Sequence, residues 1–176
     1  MQGMNRIIRM FTGTFVDAVM RFMTIGGQTT GKFNARQACL YTGLQLEELR
    51  EKIVEIQGGC VTSEAAQHLA PLIAMLAVYA DEFKQGKHEG DILRANHEGL
   101  IDADFDLAWV SLGALASTSS SPHGAIAHGA FTNLDKFVQG PDGKLTALKD
   151  ANGKIQKRPG WQPPDFSQFV DLSPRV

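Results

Sequence analysis

Two cysteines, Cys39 and Cys60, are all that this chain of 176 residues carries, and neither has a second thiol or imidazole nearby at metal-binding spacing. A disulfide framework and a thiolate metal site are thereby set aside, and both thiols are expected to be reduced residues of the core or its boundary. An excess of charge is lacking too. A formal net charge of -2 offers no broad basic surface, so no nucleic-acid partner is expected. A phosphorylated small molecule stays open, because a bound metal can reverse the sign of an acidic pocket. No early basic region leads into a signal-like apolar run, and the apolar stretch at 69–79 falls short of the ~20 residues a membrane span needs. The expectation is a soluble, cytoplasmic protein without a membrane partner. Repeats of solenoid length and sustained coiled-coil heptads are missing as well.

What is present is helical periodicity. Phe15, Val19 and Phe22 fall on successive turns of a helix predicted at 14–23, with Val16, Met20 and Met23 widening its apolar face. A Gly- and Thr-rich loop follows at 25–32. A second helix runs from about 35 to 57, where Gly58 and Gly59 offer a stop. Thr62 or Ser63 caps a third, expected to be mostly buried over 69–83, with Pro71 kinking or delaying it. Gly86 and Gly90 bracket a short polar connection before a long helix at 92–116, in which Gly99 marks a break. Ser121 and Pro122 start another helix that continues toward Val138. From Gly140 onward Gly, Pro and charged residues predict loop with at most a short hairpin. The fold class that remains is all-α, a helical bundle forming a single domain over 1–176 with an irregular C-terminal arm at about 140–176.

The acids carry the chemical signal. In the segment LEELREKIVE, Glu48, Glu51 and Glu55 form one helical stripe while Leu46, Leu49 and Ile53 form another, continued by Ile56. Glu98, Asp102 and Asp106 recur at four-residue spacing on a segment that is otherwise largely apolar. Facing stripes of this kind would repel unless cations, basic partners or protons neutralise them. Mg2+ suits an all-oxygen donor set and usually keeps waters and substrate phosphates in its shell. The metal candidates are therefore Glu48, Glu51, Asp102 and Asp106, with Glu98 in support. Taken alone, an acidic run such as EELRE also reads as a solvated helix face. Asp102, Asp104 and Asp106 beside Phe105, Leu107, Trp109 and Val110 weigh against that, since such acids are costly to bury without a counter-ion.

EELRE at 47–51 followed by DADFDLAWVSLG at 102–113 resembles the MazG-like all-α nucleoside triphosphate pyrophosphohydrolases, including their phosphoribosyl-ATP pyrophosphohydrolase relatives. The family's Glu-Glu-x-x-Glu motif is matched by Glu47, Glu48 and Glu51. Its Glu-x-x-Asp motif is replaced by Asp102-x-x-x-Asp106. FTNLDKF at 131–137 is similar to a Ser-Asn-x-x-Lys segment of the same branch, with Thr132 for the Ser and with Asn133 and Lys136 as the matching positions. DANGKIQKRPGWQPPDF at 150–166 resembles that branch's terminal signature through Gly153, Lys154, Lys157, Pro163, Pro164 and Asp165.

The resemblance implies a fold of the NTP pyrophosphohydrolase type and a homodimer or homotetramer. It also implies Mg2+-dependent cleavage of a nucleotide between its α and β phosphates, with Mn2+ as an alternative ion. Glu47 and Glu51 are the candidates to accept the attacking water's proton. Asn133, Lys136, Lys154 and Lys157 would meet phosphate oxygens, the lysines as point charges and the amide as a hydrogen-bonding group. Two other readings stand beside this one: a non-enzymatic helical oligomerisation module, and a nucleotide sensor that binds without turnover. Trp161 would either cover an aromatic base or dock the tail, and docking is the simpler job.

Overall fold

The structure is a computed structural model that describes residues 14–170; the ends of the predicted domain and of its arm lie outside the described residues. It is mostly helical: α1 (Phe15–Ile25), α2 (Ala35–Gly58), α3 (Ser63–Lys84), α4 (Glu89–Arg94), α5 (His97–Thr118) and α6 (Pro122–Leu134). Short strands β1 (Val138–Gln139) and β2 (Leu145–Thr146) pair antiparallel, and a 3-10 turn covers Ser167–Phe169. No helix among the described residues is long and apolar enough to cross a membrane.

The helix starts follow local chemistry. Thr14 and Asp17 form a reciprocal capping box on α1, the Asp17 carboxylate accepting from the Thr14 backbone N–H at 2.6 Å. Asn34 and Thr62 cap α2 and α3 by accepting from the third residue of each helix. Pro71 neither delays nor ends α3, which begins well before it and continues through it. The ring lies on an exposed part of the helix, so the Gln67 carbonyl that loses its donor can turn to water. The long helix expected at 92–116 is two helices, separated at Ala95 and Asn96. Gly99 is not the break. It sits in the first turn of α5, where a glycine costs little and whose backbone N–H groups need no intrahelical partner.

The chain divides into two compact units. One contains α2, α3, α4 and the turn at 150–154. Its α2 and α3 form an antiparallel hairpin with a close approach at Gly43, where an added Cβ would lie 2.7 Å from the Ala80 carbonyl oxygen and 2.8 Å from the Lys84 nitrogen. Leu40, Leu76, Ala80 and Ile92 are buried there with Cys39, which is fully enclosed and donates its S–H to the Phe83 carbonyl. Both cysteines are free thiols. The expected burial of α3 is only partial: Leu72, Met75, Val78 and Tyr79 are exposed. Helix α3 meets its unit along one face only, where Leu76 and Ala80 are its buried residues.

The other unit contains α1, α5, α6, the β1–β2 hairpin and the remainder of the tail. Ala18 of α1 and Ala125, Ala130 and Leu134 of α6 are buried, and the Phe22 and Phe137 rings meet at 5.1 Å. The 3-10 turn packs on α6, with Phe166 and Phe169 flanking the His128 ring.

Candidate functional site

Helix α2 presents the first acidic motif. Its Glu47 carboxylate accepts from two ammonium groups: Lys84 of α3 reaches Oε1 at 3.0 Å and Lys154 reaches Oε2 at 2.6 Å. Burial pushes the Glu47 carboxyl up, but the hydrogen bonds and charges of Lys154 and Lys84 outweigh it and hold the group below its ordinary range. Lys84 also meets Asp81 at 2.9 Å. Burial opposes its charge, yet Asp81 and Glu47 together hold the ammonium above its usual range. Glu48 and Glu51, in contrast, are exposed on α2, with the Arg50 guanidinium 4.0 Å from Glu51.

Lys154 is delivered by a tight turn. The Asp150 carboxylate accepts from the backbone N–H groups of Asn152 and Lys154, and Gly153 supplies the positive φ of 85° that the turn requires. Arg36, near the start of α2, donates to the carbonyls of Lys84 and Asn152 at 2.8 and 3.1 Å. One guanidinium thus satisfies the C-terminus of α3 and tethers the turn to α2.

In the other unit Lys136 and Lys157 converge on one aromatic ring. Their ammonium groups stand 5.5 and 4.7 Å from the centre of Trp161, within cation–π range. The indole N–H donates to the Thr132 carbonyl at 2.9 Å, so Trp161 docks the tail on α6. Arg158 adds a second anchor, donating to the backbone and the carboxylate of Asp135. Asn133 is exposed at the end of α6.

Helix α5 carries Glu98, Asp102 and Asp106, all exposed. Not one of its 22 residues is buried. Ile101, Phe105, Trp109 and Leu112 form one apolar stripe, and Leu100, Leu107 and Val110 form a second on the far side of the acidic one. Trp109 is 69% and Ile101 73% exposed, so neither belongs to a core built by the described residues.

The residues expected from the sequence therefore fall into three groups: Glu47, Glu48, Glu51 and Lys154; Asn133, Lys136 and Lys157; and Glu98, Asp102 and Asp106. Among the described residues no set of three or more His, Cys, Asp or Glu converges as a metal site. By donor chemistry Glu48, Glu51, Asp102 and Asp106 fit a hard divalent ion, being exposed carboxylates in pairs three or four residues apart on single helices. Glu47 does not fit, because each of its oxygens is engaged by a lysine. Sequence reasoning missed Lys84 and Arg36. The available signal was their position, a cation in the last turn of α3 and another opening α2 ahead of the acids.

No family model, no curated protein and no solved structure matches this chain. The likeness to the pyrophosphohydrolases thus rests on the residues of its motifs.

Proposed function

We propose that the chain hydrolyses a nucleoside triphosphate or a related nucleotide at the α–β phosphate bond, releasing a monophosphate and pyrophosphate. The observation that carries this reading is the Glu47–Lys154 pair. It joins the acidic motif of α2 to the glycine–lysine turn of the tail across 107 residues, two segments on which the likeness to that family rests.

The pair Glu48 and Glu51 on α2 and, separately, the pair Asp102 and Asp106 with Glu98 on α5 would each suit Mg2+, or Mn2+ in its place. When bound, the ion supplies charge to phosphoryl oxygens and lowers the pKa of water. The chain's own groups do the rest. Glu51 is the better placed of the two candidate proton acceptors, because its side chain is 60% exposed while both oxygens of Glu47 are engaged by lysines. Lys136, Lys154 and Lys157 meet phosphate oxygens as point charges, and the Asn133 amide orients one by hydrogen bonding. A cytoplasmic homodimer or homotetramer is the expected setting.

A screen of the common and deoxy triphosphates and of phosphoribosyl-ATP with Mg2+ or Mn2+, separating pyrophosphate from orthophosphate, tests the proposal. Orthophosphate as the only primary product would overturn α–β cleavage.

A second reading, a helical oligomerisation module without turnover, is favoured by α5. A helix apolar on two sides is stable in water only when both are covered. Sedimentation of the wild type and of Trp109→Glu decides whether copies of the chain supply that cover. An oligomer that dissociates on substitution, with no nucleotide hydrolysed by the wild type, favours this second reading.

A further inference from the structure

We propose that Glu47 is a positioning residue, whose work is to hold Lys154 at the acidic face of α2 rather than to bind metal or accept a proton; this role rests on the nucleotide reading above. Both carboxylate oxygens are committed, Oε1 to Lys84 and Oε2 to Lys154. With Asp81 on the far side of Lys84, two acids and two lysines form a neutral chain of charge-assisted hydrogen bonds.

The backbone of Lys154 is already fixed. Asp150 closes the turn and Arg36 ties Asn152 to α2. Beyond the backbone lies a four-carbon stem whose ammonium Glu47 holds at 2.6 Å, and a lysine side chain loses more rotamer freedom on ordering than most. Glu47 removes that freedom before a ligand arrives. Glu51 follows Glu47 one turn later on the same stripe of α2, so the ammonium is held one helical turn from a carboxylate assigned to the ion. A polyphosphate drawn to that face meets a lysine in place.

The arrangement also gives the substitution an unusual sign. Removing a carboxylate from an anion site ordinarily strengthens anion binding, by relieving repulsion. Here Glu47→Gln leaves Lys84 with Asp81 and takes from Lys154 the carboxylate that meets its ammonium, so anion binding weakens.

The experiment compares wild type, Glu47→Gln, Glu47→Asp, Lys154→Met and the Glu47→Gln/Lys154→Met double variant. Its readouts are steady-state hydrolysis, Mg2+ titration without nucleotide, and titration with inorganic pyrophosphate without metal. Glu47→Gln and Lys154→Met are each expected to raise KM about tenfold with kcat changed by less than about threefold and Mg2+ affinity unaltered. The double variant is no worse than Lys154→Met, because the two residues act as one unit. Glu47→Asp recovers part of the loss. Loss of Mg2+ binding in Glu47→Gln, or a fall in kcat with KM unchanged, overturns the proposal by making Glu47 a ligand or a base. If the wild type hydrolyses no nucleotide, the proposed function fails and the pyrophosphate titration decides this one. Weaker binding in both single variants upholds it; binding that is equal, stronger in Glu47→Gln, or absent from the wild type overturns it. Glu47→Asp keeps the charge and serves where Glu47→Gln does not fold.

Discussion

Lys157 holds its ammonium 4.7 Å from the centre of the Trp161 ring, and Lys136 approaches the same indole at 5.5 Å. A phosphate that recruits either lysine must draw a cation away from the ring. Nucleotide addition to a Trp109→Phe background, in which Trp161 is the remaining tryptophan, is expected to change the indole emission saturably. Lys157→Ala should shift the unliganded spectrum and reduce the response. A spectrum indifferent to both nucleotide and substitution would leave these lysines as tail anchors only.

The contact between α2 and α3 predicts opposite outcomes for two glycines of one helix. Gly43→Val drives side-chain atoms into the Ala80 carbonyl and the Lys84 nitrogen, both backbone atoms that cannot step aside. It should cost about 2 kcal/mol or more of stability. At Gly58 an added Cβ meets nothing within 4 Å, so Gly58→Ala should be neutral or stabilise by up to ~1 kcal/mol. Urea titrations of the three proteins check both.

His88 gives the fold a pH dependence of definite sign. Its ring stacks on Phe83 at 4.4 Å and contacts the Asp91 carboxylate at 2.9 Å and that of Glu82 at 3.4 Å. The Asp91 hydrogen bond, opposed by desolvation and aided by Glu82, raises the imidazole above its ordinary value of 6.5. The stabilisation is therefore complete below that value and is lost as pH rises through the raised one. Thermal melts from pH 6 to 9 should show the wild type declining relative to His88→Gln over that interval. Parallel curves would remove His88 as the cause.

Glu48→Ala and Asp106→Ala should each reduce nucleotide hydrolysis by on the order of a hundredfold or more. Helix content should be unchanged, because relieving carboxylate repulsion does not harm the protein without metal. Circular dichroism and Mg2+ titration on the same samples give the answer. Helix lost in parallel with activity would make these acids structural.

Local signals in the sequence locate most helix ends correctly. Thr14, Asn34 and Thr62 cap because short oxygen side chains satisfy open backbone N–H groups, and Pro122 opens α6 where its missing N–H is not needed. Gly99 predicts the break before α5 too late, because Asn96, a better helix-start residue three positions earlier, takes the N-cap position. Helix α3 is less buried than its apolar content predicts, because that content alone does not say which face finds a neighbour. At the site, the acidic and basic residues were legible as types. Their partners were not: Glu47 and Lys154 are joined through the path of the chain, and no periodicity encodes a contact over 107 residues.

That separation bears on the order in which the unit assembles. The α2–α3 hairpin is local and can close as soon as both helices exist, whereas the turn at 150–154 must bridge 116 residues to bring the Asn152 carbonyl to Arg36. Loop-closure entropy penalises such a contact until the rest of the framework has shortened the effective loop. During synthesis, which folds chains from the N-terminal side, Glu47 and Lys84 therefore meet first, and Lys154 arrives after the hairpin is standing. A ribosome stalled before residue 150 should carry a nascent chain whose helical hairpin is already formed but still lacks the second ammonium on its Glu47 carboxylate.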